Sequence, residues 1–358
     1  MKSIPLFFLI LVCISSCKKN GDDNGGGGTN SSANPKIEYT ETIQLSAAVE
    51  RLSAAVVGNK IAFAGGYPAT NKVEIYDVSN GTWKTSGLSM ARTGIATTAN
   101  GNKMFFAGGK AADFVTRVDI YDIVSNTWSI TSLSVARQEI AAASAGNKVV
   151  FAGGVISGIA SKVANIYDMI SNSWMMPTPE LSEARAYMGV AAAGNKIVFA
   201  GGSANGGLSK TVDIYDVSTN IWTTAKLSEP RYLLVGAAAG NKIVFAGGLN
   251  SVGKASATVD IYNVSTGVWT TAKLSEARYF LSATAVGNKV AFGGGRSDIG
   301  VSGTVDIYDV STNEWTTLQL SQARLSLVAS GAANKLLFAG GYTVAGRSAA
   351  VDVFTLSK

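Results

Sequence analysis

Short apolar runs separated by Gly, Asn and Ser make up most of the chain. Over residues 232–274 they read YLLVGAAA, KIVFAGG, TVDIYNV and VWTTAKL. Each run is too short for a helix and is rich in β-branched, aromatic or small residues, which predicts four successive strands. Gly240-Asn241 separates the first two, the signal of a two-residue hairpin whose first position takes a positive φ. A variable segment, residues 249–257, follows the Gly-Gly pair, and a polar turn leads into the Trp run. The whole pattern then returns at a period of about 46 residues. The Gly-Gly pair begins at Gly65, Gly108, Gly153, Gly201, Gly247, Gly294 and Gly340, each with a Phe two residues before it. Tyr76, Tyr121, Tyr167, Tyr215, Tyr262 and Tyr308 follow, with Phe354 in the last copy, and a Trp stands seven residues after each of these Tyr residues. Seven copies of a strand-rich unit, none able to bury its own apolar face, imply a repeat architecture. Six copies keep the hairpin Gly. The seventh has Ala333-Asn334, where strain or a different turn is expected.

Gly-Gly, then Tyr-Asp, then Trp, then an Arg opening the next unit, resembles the kelch motif, and the resemblance covers residues 36–358. It implies an all-β, seven-bladed kelch β-propeller with four antiparallel strands per blade. Asn263 departs from the pattern by replacing the Asp after Tyr, and the last copy stops at VDVFTLSK without its Trp strand. Residues 40–51, TETIQLSAAVER, resemble the outer-strand stretch TTAKLSEAR with two extra residues, so the N-terminal strand is expected to close the last blade. The fixed aromatics read as packing between blades, and truncating one such Trp to Ala is expected to cost about 3–5 kcal/mol, as for a core residue.

Composition narrows the chemistry. The 358 residues contain no His, which removes the usual metal ligand and the usual general base together. Resemblance to kelch proteins admits copper enzymes of the galactose-oxidase type and iron-dependent plant specifier proteins, but both use His. Neither a metal nor another cofactor is therefore expected. Net charge is +6, with the Lys residues dispersed through the Gly-Asn-Lys turns, so nucleic acid is not an expected partner. The only cysteines are Cys13 and Cys17, which excludes a disulfide from the repeat body.

The first residues, MKSIPLFFLILVCISSC, carry one Lys and a short apolar run, as a signal segment does. Ser15-Ser16-Cys17 resembles the lipobox of bacterial lipoproteins. It implies a signal peptide over residues 1–16, lipidation at Cys17, a flexible tether over 17–35 and the propeller over 36–358. The expected location is the bacterial cell envelope, as an outer-membrane lipoprotein that is periplasmic or surface-exposed and touches the membrane only through its anchor. Lys18-Lys19 followed by Asp22-Asp23 weakly resembles the export signals of surface lipoproteins in the Bacteroidetes group.

In an up-and-down blade, the loop after the second strand and the link to the next blade share one face. That face holds nearly all the sequence variation, and loops that differ between similar units are where function concentrates. Aromatics left over after the repeat positions are subtracted fall mostly there. Tyr187, Tyr232, Tyr279 and Phe280 sit in consecutive blades and are the candidate ligand-binding sector, with Arg296 and Glu139 as polar company and Asp298 and Arg347 nearby. The competing reading has these rings simply covering loops. Arg51, Arg92, Arg137, Arg185, Arg231, Arg278 and Arg324 recur once per unit, so a structural role bonding carbonyls or a neighbouring acid outweighs an anion site. The expected function is non-catalytic binding of a protein or glycan through the variable face. The alternative is a glycan-modifying enzyme resembling sialic-acid mutarotase, with Glu139 as the candidate acid–base residue.

Overall fold

The turn at Gly240-Asn241 sets the pattern for the whole fold. Gly240 has φ 54°, and it reverses the chain between Val235–Ala239 and Lys242–Ala246. Thr258–Asn263 pairs with the second strand, and Trp269–Lys273 lies outermost. A computed structural model describes residues 35–357, and within them this four-strand antiparallel order recurs in seven sheets. The expected signal segment, Cys17 and the tether up to residue 34 lie outside the described residues. At the seventh hairpin Ala333 keeps φ 53°, so the turn type is retained and a Cβ is held in the left-handed region that glycine occupies elsewhere.

The seventh sheet takes its outer strand from the start of the chain. Ile37–Gln44 pairs antiparallel with Ala350–Leu356, from Ile37 opposite Leu356 to Gln44 opposite Ala350. The Ser357 amide donates to the Lys36 carbonyl at 2.8 Å just beyond the strand ends. Inner strands of successive sheets touch in chain order, and the last, Val328–Ala332, touches the first, Ser53–Val57. The ring is closed. These inner strands are nearly all Ala, Gly, Ser, Thr and Val, because seven of them converge on one axis.

Each sheet buries its faces against its neighbours. Val244, Ala246, Val259 and Ile261 of the fifth sheet pack on Val290, Phe292 and Tyr308 of the sixth, and the other interfaces repeat this arrangement. The repeated Phe residues are fully buried, whereas the Trp residues are half-buried on the outer strands, and Trp83 is 36% exposed. Each Trp leans on the Tyr of its own sheet, with ring centroids 4.8 Å apart for Tyr262 and Trp269. The fully buried Trp assumed from the sequence is therefore corrected: the repeated Phe carries the core, and the Trp covers its edge.

Six arginines lock the sheets together. Arg92, Arg137, Arg185, Arg231, Arg278 and Arg324 are wholly buried. In Arg278, Nη1 donates to the carbonyls of Gly294 (2.7 Å) and Thr304 (2.6 Å), and Nη2 donates to the Asp306 carboxylate. The link segment runs so close over the Gly-Gly pair that a Cβ on Gly247 would come within 2.6 Å of the Arg278 carbonyl oxygen. Arg51 does not belong to this set. Val49 occupies the corresponding place, its carbonyl accepting from the Gly341 amide as the Arg278 carbonyl accepts from Gly248.

Candidate functional site: an axial cup

Behind each locking position the link takes two steps. Its first residue pairs through the main chain with the residue following a Gly-Gly pair, as in Gln138 with Val155, Tyr232 with Leu249 and Tyr279 with Arg296. Its second residue turns in toward the axis with a positive φ. The seven second residues are Arg51 (56°), Gly94 (66°), Glu139 (52°), Tyr187 (55°), Leu233 (57°), Phe280 (52°) and Ser326 (52°). Non-glycine residues rarely adopt this conformation, and bulky ones such as Tyr, Leu and Phe least of all. Strained backbone of this kind gathers at functional sites.

All seven line one cavity of about 520 Å³ at the end of the ring axis. Its base is apolar, formed by the next residues along the links, including Ile95, Ile140, Met188, Leu281 and Leu327. Tyr232 joins the wall and meets Tyr187 edge to face, with centroids 6.4 Å apart. Gly94 supplies no side chain between Arg51 and Glu139, and a Cβ there would lie 3.5 Å from Glu139 Oε1. The missing side chain leaves the carboxylate open to the cup. Around the ring the main chain is knitted by bonds from Ser326 N to the Phe280 carbonyl (3.0 Å), Arg51 N to the Ser326 carbonyl (2.9 Å) and Leu233 N to the Tyr187 carbonyl (3.1 Å).

Electrostatics single out one side of the cup. Burial pushes the Glu139 carboxyl up from its ordinary value, and the nearby Arg51 guanidinium partly offsets this. Among the described residues Glu139 makes no hydrogen bond, so its oxygens are available to a ligand. Burial also raises the Tyr187 phenol, with the Glu139 charge adding to the effect. The cup thus sets a carboxyl group, a guanidinium and three aromatic rings around an apolar floor.

The sequence-selected residues divide into two groups. Glu139, Tyr187, Tyr232 and Phe280 are brought together in the cup. Tyr279 and Arg296 are not among its lining residues. Tyr279 lies against Phe280 (5.2 Å between centroids) and exchanges main-chain hydrogen bonds with Arg296, whose side chain is exposed. Asp298 and Arg347 lie farther out, where Asp298 is 3.8 Å from Lys254 and Arg347 is 3.4 Å from Glu50 while also covering the Tyr67 ring. Sequence reasoning missed Arg51, Gly94, Leu233 and Ser326 as cup residues. Matching LSAAVER to LSEAR from the leucine, instead of from the arginine, would have set Val49 on the locking position and moved Arg51 into the cup. No group of three or more potential metal ligands occurs among the described residues.

A ring of four-stranded sheets with this repeat, open at one end in an axial cup, defines a β-propeller of the kelch type. A family model described as a KLHDC2/KLHL20/DRC7 Kelch-repeats domain matches residues 190–357. Residues 190–357 thus match kelch repeats. The solved structure entitled "Structure of YjhT" is similar to it over 77% of this chain and 99% of that chain, at 15% identity and a TM-score of 0.63, a likeness of fold. No curated protein matches the chain.

Proposed function

We propose that the protein is a lipid-anchored cell-envelope propeller whose axial cup binds a carbohydrate ring. A kelch propeller suits a binding role, but the fold alone does not choose the ligand. The observation that carries the reading is the composition of the cup. Tyr187, Tyr232 and Phe280 offer flat apolar faces, while Glu139 and Arg51 offer an acceptor and a fork of donors within one concave site of sugar-ring size. The anchor rests on the sequence alone, on the apolar run ending at Ile14 and on Ser15-Ser16-Cys17. Two lipid signals hold a protein at a membrane where one does not, so a multiply acylated Cys17 would suffice.

A glycan array followed by calorimetry on the best hit tests the reading. Tyr187→Ala and Glu139→Gln should each weaken binding about tenfold or more, and Tyr279→Ala, outside the cup, should leave it nearly unchanged. Equal affinity for the wild type and both cup variants would remove the cup from the interaction. The second reading, acid–base catalysis on a sugar, draws on the raised pKa of Glu139 and its availability for bonding. Under it, Glu139→Gln would abolish anomer interconversion of the bound sugar while sparing affinity.

A further inference from the structure

At six junctions of the ring a buried arginine fills a slot between neighbouring sheets. The seventh junction keeps the slot but not the arginine. Val49 stands in its place, with its carbonyl taking the Gly341 amide at 2.8 Å, as the Arg278 carbonyl takes that of Gly248 at 2.8 Å. Glu74 stands in place of the aspartate. It lies opposite Phe63 in the strand register, as Asp306 lies opposite Phe292. It also accepts the Ser46 amide at 3.0 Å, as Asp306 accepts that of Ser275 at 3.1 Å. The Gly65 carbonyl is the counterpart of the Gly294 carbonyl that Arg278 bonds, and among the described residues no hydrogen bond reaches it. Between these groups lies a cavity of about 270 Å³, lined among others by Leu45, Val49, Phe63, Gly65, Lys72 and Glu74. Exposed residues at its rim, Ala47, Ala48 and Pro68, open it to solvent.

We propose that this slot binds a guanidinium group. Six intact copies show what the frame accepts: a planar fork with one nitrogen on main-chain carbonyls, another on a carboxylate in five of them and on the Asn165 amide oxygen in the sixth, and a methylene stem along apolar walls. Lys72 Nζ lies 3.7 Å from Glu74 Oε1 and donates to Ser46 Oγ, so it balances the carboxylate from the outside. A lysine ammonium is a point donor without the planar fork of the six arginines, so it matches this frame less well. The slot is separate from the axial cup and does not depend on what the cup binds.

Calorimetric titration of the full-length protein with N-acetyl-arginine methylamide, with the lysine analogue, and with an extended peptide carrying one arginine tests the proposal. The arginine compound should bind in the millimolar range or tighter, and the lysine analogue about tenfold more weakly. Glu74→Gln should weaken arginine binding about tenfold. Val49→Arg, which supplies the missing group from the chain itself, should abolish binding and raise the melting temperature. Binding of both arginine probes supports a free guanidino compound as the ligand, and binding of the peptide alone supports an arginine side chain on a partner protein. No binding by either, equal affinity for arginine and lysine, or undiminished binding by Val49→Arg overturns it. Should Val49→Arg not fold, wild-type crystals soaked with the arginine compound decide: density for a guanidinium between Glu74 and the Gly65 carbonyl supports the site, and its absence overturns it.

Discussion

Arg137 is the odd member of the locking set. Its Nη2 donates to the amide oxygen of Asn165 at 2.5 Å, where the other five meet an Asp carboxylate. Without that counter-charge, burial pulls its pKa down to about 10. A buried cation without an anionic partner is costly, and a hydrogen bond to a charged group contributes about 1.5–3 kcal/mol. Asn165→Asp should therefore stabilise the protein at neutral pH by about 1–3 kcal/mol, read as a higher melting temperature. The sign with pH follows from linkage. The folded state releases the Arg137 proton before the unfolded chain does, so the burial penalty is relieved as pH rises above about 10. The advantage of Asn165→Asp should shrink over the same interval. At this scale the sequence disclosed what recurs. The arginine repeat announced a structural role because it came once per unit, whereas Arg51 was misplaced because the two-residue shift at Val49 had only one instance to betray it. The positive φ of Glu139, Tyr187, Leu233 and Phe280 left no trace, since none of these residue types favours the left-handed region.

At the scale of elements, the aromatics of one sheet play unequal parts. Phe245 is wholly buried against the neighbouring sheet, while Trp269 lies half-exposed on the outermost strand over Tyr262. Phe245→Ala leaves a cavity on all sides and should cost about 3–5 kcal/mol. Trp269→Ala exposes surface that solvent can largely reach and should cost about 1–2 kcal/mol, since only part of its area leaves water on folding. Urea unfolding of the two variants compares them directly, and equal losses would contradict this division. The strands themselves were readable from short apolar runs and Gly-Asn turns. Their relative depth was not, because Phe and Trp look equally apolar in one dimension and only sheet order separates inner from outer positions.

At the scale of the whole molecule, closure depends on Ile37–Gln44 as the outer strand of the seventh sheet. Thr42 Oγ1 bonds Asp352, the partner of Arg324, so removing this strand also loosens a locking pair. Deleting residues 36–46 should lower the melting temperature of the entire ring as one transition. A variant that melts at the wild-type temperature, or that loses only a small separate phase, would show that the strand is dispensable. The sequence allowed this closure to be anticipated because the last copy lacked its Trp strand and residues 40–51 resembled one. The cup was only half anticipated. The unlike residues at the links were visible as departures from the repeat, but which of two adjacent positions faces the axis is a matter of backbone conformation.

That conformation sets a conflict between durability and the binding proposed for the cup. Six of the seven inward-facing residues hold a left-handed backbone that would suit glycine better, at a cost of about 1 kcal/mol each. Selection for heat resistance alone would therefore favour glycine at these places, as Gly94 already illustrates. The hardiest descendants of this protein would be those with the emptiest cups, and any screen that rewards endurance without also rewarding ligand capture would erase the site first.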